Sequence, residues 1–193
     1  MIKDIHITEL PKKTLSVNPK KFLLWLFMVS IVMIFASLTS AYIVRQAEGN
    51  WLQYKLPVEF WATTAILLLS SFSVQWAYRA TKRDDISRIK VYLSITLLLG
   101  LLFLAGQVYV WSIMVDHDVY FVGNPGGSFL YVLTGVHGFH LISGLIYLII
   151  MLIKTIRYKV HSRNSLQMSL CVTYWHFLDA LWIYLFVFLL LNN

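Results

Sequence analysis

Residues 129–153 read FLYVLTGVHGFHLISGLIYLIIMLI, 25 positions without one Asp, Glu, Lys or Arg. At about 1.5 Å per residue, such a helix outspans the roughly 30 Å hydrocarbon core of a bilayer. Four more apolar stretches of comparable length lie at about 22–44, 58–78, 91–114 and 168–191. None shows the period-two alternation of a membrane β-barrel. Helices satisfy their own backbone groups, as lipid demands. The sequence therefore predicts an all-α fold, a polytopic membrane helix bundle with five transmembrane helices. It is expected to form a single membrane domain over 1–193, with a tail at 1–21.

Composition agrees. Hydrophobic residues make up 59% of the 193 and charged residues 13%, with a mean hydropathy of +0.69. A soluble domain runs nearer half apolar and a quarter charged. An ordinary globular enzyme, a disordered chain, collagen and a disulfide scaffold are all excluded, the last because Cys171 is the single cysteine. Cys171 reads as a small buried hydrophobe. Asn124-Pro125-Gly126-Gly127 reads as a turn in the third connection. No Gly-rich phosphate loop is present.

The formal charge of +7 is a topology signal. Fourteen of the 16 Lys and Arg fall in three segments that share one side in a five-span arrangement: the N-terminal tail (Lys3, Lys12, Lys13, Lys20, Lys21), the second connection (Arg79, Lys82, Arg83, Arg88, Lys90) and the fourth (Lys154, Arg157, Lys159, Arg163). Arg45 and Lys55 alone lie opposite. The positive-inside rule puts the N-terminus in the cytoplasm, or in the matrix of a mitochondrion, and the C-terminus across the membrane. No nucleic-acid partner is expected. The first helix reads as a retained span, since it is too long for a signal h-region. Trp51 and Tyr54 fit an aromatic belt at the outer interface.

Polar side chains within lipid are costly and face protein, water or a ligand. On the first span, Ser30, Ser37 and Ala41 form a small-residue stripe suited to helix packing. The second span carries Glu59, Thr63 and Ser70 on one stripe and Thr64, Ser71 and Gln75 on another, with much of their hydrogen bonding expected to be local. Glu59, near the outer end, could be solvated, paired with Arg45 or Lys55, or handle protons. Gln107 on the third span is an interhelical hydrogen-bond candidate. The fourth span places His137, His140 and Gly144 on one stripe and Gly135 and Gly138 on another, where the glycines admit a close backbone. On the fifth, Trp175, His176, Asp179 and Trp182 cover one side. An ionised Asp at the bilayer centre costs about 2.5–3.5 kcal/mol, so Asp179 is expected to be protonated or paired, with His176 a turn away and His140 at similar depth.

Four readings of these groups stay open: a hydrogen-bonded polar core pinning helices together, a proton relay, haem ligation and a metal site. Haem needs axial ligands at matching depth, which the offset of His137, His140 and His176 does not favour. A zinc or copper site needs three or four ligands, and His6, His117 and His161 lie in tails or connections. A proton-coupled transporter would be expected to break a helix at mid-membrane, and no Gly-Pro interrupts these spans.

At Tyr174-Trp175-His176-Phe177-Leu178-Asp179 with Trp182, at Thr134-Gly135-Val136-His137-Gly138-Phe139-His140 with Gly144, and at Leu56-Pro57 leading to Thr63-Thr64 and Ser70-Ser71, the chain resembles subunit III of the haem–copper terminal oxidases. The likeness spans all five helices and fits the short bacterial form that lacks the first two of seven. Two departures are visible. A buried acidic residue that longer members carry after a serine in the first retained helix corresponds to Ile31, which puts any proton-uptake role of that carboxylate in doubt. Some relatives also carry acidic groups where this chain has Gln107 and Val110.

The resemblance implies a non-catalytic subunit of a proton-pumping oxidase that reduces oxygen to water, most simply of the cytochrome c type. It implies no cofactor in this chain, with haem and copper in partner subunits I and II. It implies phospholipid in clefts, support of subunit I and of proton uptake, membership of a respiratory supercomplex as a further partner state, and a bacterial inner membrane. His137, His140, His176 and Asp179 are then expected to form a structural polar core, with Asp179 held by a His or Trp, and His137 or Trp175 to contact lipid or a neighbouring subunit. A quinol oxidase subunit III is the rival within the family, and a haem b membrane cytochrome the rival outside it.

Overall fold

The computed structural model describes residues 18–51, 54–158 and 165–192. It holds five helices: α1 (Pro19–Ala47), α2 (Glu59–Lys82), α3 (Ile86–Asp116), α4 (Pro125–Ile156) and α5 (Leu166–Leu191). All five are long and apolar enough to cross a membrane, and no strand occurs among the described residues. The expected tail at 1–21 falls mostly on 1–17, outside the described residues, as do Leu52, Gln53 and 159–164; Pro19, Lys20 and Lys21 open α1 instead.

Helices α1, α3 and α4 run beyond their expected spans at both ends, α2 at its end only and α5 at its start only. Apolar counting measures the stretch within hydrocarbon, whereas the helix stops where its end groups find caps. Asn18 accepts from the Lys20 N–H and precedes Pro19. Asp85 accepts from the Arg88 N–H. Asn124 accepts from the Gly126 N–H at 2.9 Å, with Pro125 at the first helical position. Asn124-Pro125-Gly126-Gly127 is therefore not a free turn but the capped first turn of α4.

Helices α2, α3, α4 and α5 pack in a ring in that order, α5 returning to α2, and α2 with α3 is the most extensive pair. Helix α1 lies outside the ring against α4 and α5. Its inward stripe is Met28, Ile31, Phe35, Thr39 and Tyr42. The expected small-residue stripe points the other way: Ser30 and Ser37 are exposed and donate to Phe27 O and Met33 O of their own helix. The bulky stripe is the face that packs against α4 and α5, and the small residues are left outward. Cys171 is buried in α5.

Two glycines set the core spacing. A Cβ on Gly100 of α3 would lie 2.8 Å from the Trp175 ring, and one on Gly144 of α4 would lie 2.8 Å from Leu178 and 3.3 Å from the other edge of the same indole. Trp175, 1% exposed, is wedged between them. Gly135 and Gly138 do not serve close approach within the chain. A Cβ there would meet Trp111 at 3.7 Å or Leu104 at 3.8 Å, ordinary contact.

Candidate functional site: the polar seam between α2 and α5

Helix α2 carries hydroxyls at positions where α5 presents indoles and an imidazole. Trp175 Nε1–H donates to Ser70 Oγ at 3.0 Å, and Trp182 Nε1–H to Thr64 Oγ1 at 3.0 Å. The hydroxyls also bond back to their own helix, Ser70 to Leu67 O and Thr64 to Phe60 O. The local bonding foreseen for α2 is therefore half of the arrangement. A hydroxyl has one proton and two lone pairs, so it can donate along α2 and accept from α5 at once. Thr63 does the same toward α3, accepting from Gln107 Nε2 at 3.3 Å while donating to Phe60 O.

His176 closes the seam. Its Nε2 lies 3.1 Å from Gln75 Oε1 and its Nδ1 2.6 Å from Ser71 Oγ. A carbonyl oxygen only accepts, so Nε2 carries the proton and Nδ1 accepts from Ser71. That commits the single Ser71 proton. Asp179, 3% exposed and near the middle of α5, has Ser71 beside it but meets no hydrogen-bond donor in good geometry among the described residues. The expected His or Trp partner is absent because His176, Trp175 and Trp182 are all spent on α2.

The other candidates lie elsewhere. His137 is fully buried with neither ring nitrogen hydrogen-bonded, its ring 5.0 Å from Trp182 and 6.0 Å from Phe103. His140 donates from Nδ1 to Val136 O of its own helix at 2.8 Å and packs 5.8 Å from Phe35 of α1. His137, His140 and His176 thus face the ring interior, α1 and α2 respectively. They do not converge into the shared polar core expected of them with Asp179. Among the described residues no three His, Cys, Asp or Glu side chains converge on one point.

Gln107 is buried with Oε1 unpartnered. Glu59 stands in the first turn of α2, where a carboxylate suits the helix dipole. Arg45 does not pair with it but with Glu48, at 2.6 Å.

Residues that sequence reasoning passed over complete the ties. Ser143 Oγ and Tyr174 OH, 2.6 Å apart, join α4 to α5; so do Lys154 Nζ–H and Tyr147 O–H, which reach Oε1 and the backbone oxygen of Gln167. Thr39 Oγ1 and Tyr184 OH, 3.0 Å apart, join α1 to α5. Hydroxyls recurring on apolar helices were the available signal. At the α1–α2 connection Trp51 packs edge-on against Tyr42, 4.7 Å between centroids, and Tyr54 is buried rather than lying in a lipid-facing belt. Burial, with Tyr42 beside it, pushes the Tyr54 phenol up.

The seam can hold helices in register and can pass hydrogen-bond polarity from Ser71 through His176 to Gln75. The family model for cytochrome c oxidase subunit III matches residues 52–192. A probable cytochrome c oxidase subunit 3 from Nocardia farcinica (strain IFM 10152) is 37% identical over 175 residues, covering 85% of this chain and 82% of the relative. The cytochrome c oxidase subunit 3 of Bacillus sp. (strain PS3) is 30% identical over 183 residues, 91% and 88% of the two chains. That of Corynebacterium diphtheriae is 30% identical over 168 residues, 83% and 82%. With a match over most of its length and a bundle of five apolar helices, the chain belongs to the cytochrome c oxidase subunit III family.

Proposed function

We propose that the chain is the non-catalytic subunit III of a proton-pumping cytochrome c oxidase. As a family member it is a membrane-embedded subunit of an oxidoreductase and works in a complex with other oxidase subunits. The finer reading is that it buttresses subunit I beside subunit II, where haem and copper reside. There it keeps proton uptake and turnover durable, binds phospholipid and enters a respiratory supercomplex. In the bacterial inner membrane its N-terminus is cytoplasmic and its C-terminus periplasmic, following the skew of Lys and Arg.

The observation that carries this reading is the α2–α5 seam. The two indoles and the imidazole of the strongest motif are committed to Ser70, Thr64, Ser71 and Gln75. A side chain spent on a neighbouring helix is positioned to hold that helix. The three helical histidines also face three different surroundings, which supports a packing role.

Removal of this chain from the purified oxidase tests the proposal. The expected result is an unchanged haem spectrum per subunit I, with normal initial oxygen uptake that decays within fewer turnovers. A stoichiometric Soret band on the isolated chain, or unaltered turnover life in its absence, would refute it.

A further inference from the structure

We infer that a cavity at the tip of the α2–α3 hairpin binds the phosphate of one anionic phospholipid. The inference rests on the membrane embedding of the chain and names one lipid site within the proposed role; it does not need the oxidase assignment.

The hairpin is built for a fixed tip. Helix α2 ends at Lys82 and α3 starts at Ile86, with Asp84 in the left-handed region at φ +54° to make the short reversal. Ser73 Oγ–H donates to Tyr92 O at 2.9 Å and ties the two helices below it. A cavity of about 260 Å³ opens there, below the range of sites for drug-sized ligands and suited to one headgroup. Arg79, Arg83 and Arg88 line it, with Trp76 and Tyr92 on the side toward the membrane. Asp85 also lines it, so the wall carries three guanidinium groups and one carboxylate.

Asp85 takes up Nε of Arg88 at 3.0 Å, which leaves the two terminal nitrogens of that guanidinium for a ligand. Arg79 and Arg83 pair with no carboxylate among the described residues. Three neighbouring cations among the described residues are engaged: Lys82 lies over the Tyr78 ring at 4.7 Å, Lys90 over Tyr158 at 4.9 Å, and Lys154 donates to Gln167. Three guanidinium groups therefore share the wall of one cavity, two of them without a carboxylate partner among the described residues. A guanidinium offers paired donors that match phosphate oxygens.

The position selects a lipid phosphate over a soluble one. Arg79 is in the last turn of α2, at headgroup level for a helix of 24 residues. Trp76 is 50% exposed, its ring 5.8 Å from Tyr92, a pair that suits the interface. One turn deeper on the same face of α2 lies exposed Phe72, and on α3 exposed Ile95. These continue the cavity as an apolar track for an acyl chain.

The intact complex, in nanodiscs of phosphatidylcholine alone, phosphatidylcholine with phosphatidylglycerol, or phosphatidylcholine with inorganic phosphate, is treated with phenylglyoxal and each arginine followed by peptide mass spectrometry. Phosphatidylglycerol is expected to slow modification of Arg79 and Arg83 by about fivefold or more, with Arg157 on the same side much less affected and inorganic phosphate without effect. Equal slowing at Arg157 would mean a diffuse surface potential and overturn the site. Equal protection by inorganic phosphate would mean a soluble-anion site, and full protection in phosphatidylcholine alone a covering partner chain; either overturns it. The Arg79→Gln/Arg83→Gln complex is expected to lose one phosphatidylglycerol in native mass spectrometry, and retention of that lipid is also refuting. The haem spectrum and companion chains of the same samples report separately on the oxidase assignment.

Discussion

Gly144→Ala and Gly135→Ala make the same chemical change on the same helix and are expected to move stability in opposite directions. Each replaces a helical glycine with alanine, worth about 0.8–1.0 kcal/mol in favour of the helix. At Gly135 the new methyl group meets only Trp111, at 3.7 Å, a normal contact. At Gly144 it falls 2.8 Å from Leu178 Cδ1 and 3.3 Å from two atoms of the Trp175 ring, against a favourable carbon–carbon separation of about 3.5–4.0 Å. Leu178 is fully buried, and the indole cannot retreat because its far edge already fills the space above Gly100. Overpacking of this kind costs about 1–3 kcal/mol. The helix gain cancels between the variants, so the difference between them isolates that cost at about 1–3 kcal/mol. SDS titration of the detergent-solubilised complex, with loss of this chain read by proteolysis, ranks the two. Equal shifts, or a more stable Gly144→Ala, would refute the wedging of Trp175 between α3 and α4.

Ser70→Ala leaves the Trp175 indole N–H buried without an acceptor. It should cost about 0.6–1.7 kcal/mol in the same titration, the range of interhelical bonds in membranes; Ser37→Ala, whose exposed hydroxyl bonds only its own helix, should be nearly neutral. Asp179→Asn keeps shape and removes a buried carboxyl group that has only the already committed Ser71 hydroxyl beside it, so stability should hold or rise, and a loss above about 1 kcal/mol would show that a partner holds the native group.

The spans were legible because lipid imposes length and apolarity, and residues 129–153 meet both without exception. Orientation of side chains was less so. A period of 3.6 residues placed Thr64, Ser71 and Gln75 on one stripe of α2, yet left open what they bind. The donors were indoles on α5, which read as aromatic bulk until the helices are seen side by side. His140 could be placed at a depth but not on a side; only the seat of α1 beside α4 turns it toward Phe35. The small residues of α1 looked like a packing stripe, and the choice between that stripe and the Ile31–Phe35 face depended on the width of a gap made by other helices. Asn124 and Pro125 gave the signature of a helix start, and the glycines beside them hid it.

At the end of the bundle where α1 and α5 finish, the Asn192 backbone oxygen accepts from both Tyr42 O–H, at 2.9 Å, and Gln46 Nε2–H, at 3.0 Å. These bonds join positions about 150 residues apart in the chain. Helix α1 is synthesised before α5 and therefore acquires these anchors only after α5 has been made. During biogenesis α1 must wait in the bilayer without its final lateral neighbours, and insertion and docking of this helix are separate events in time.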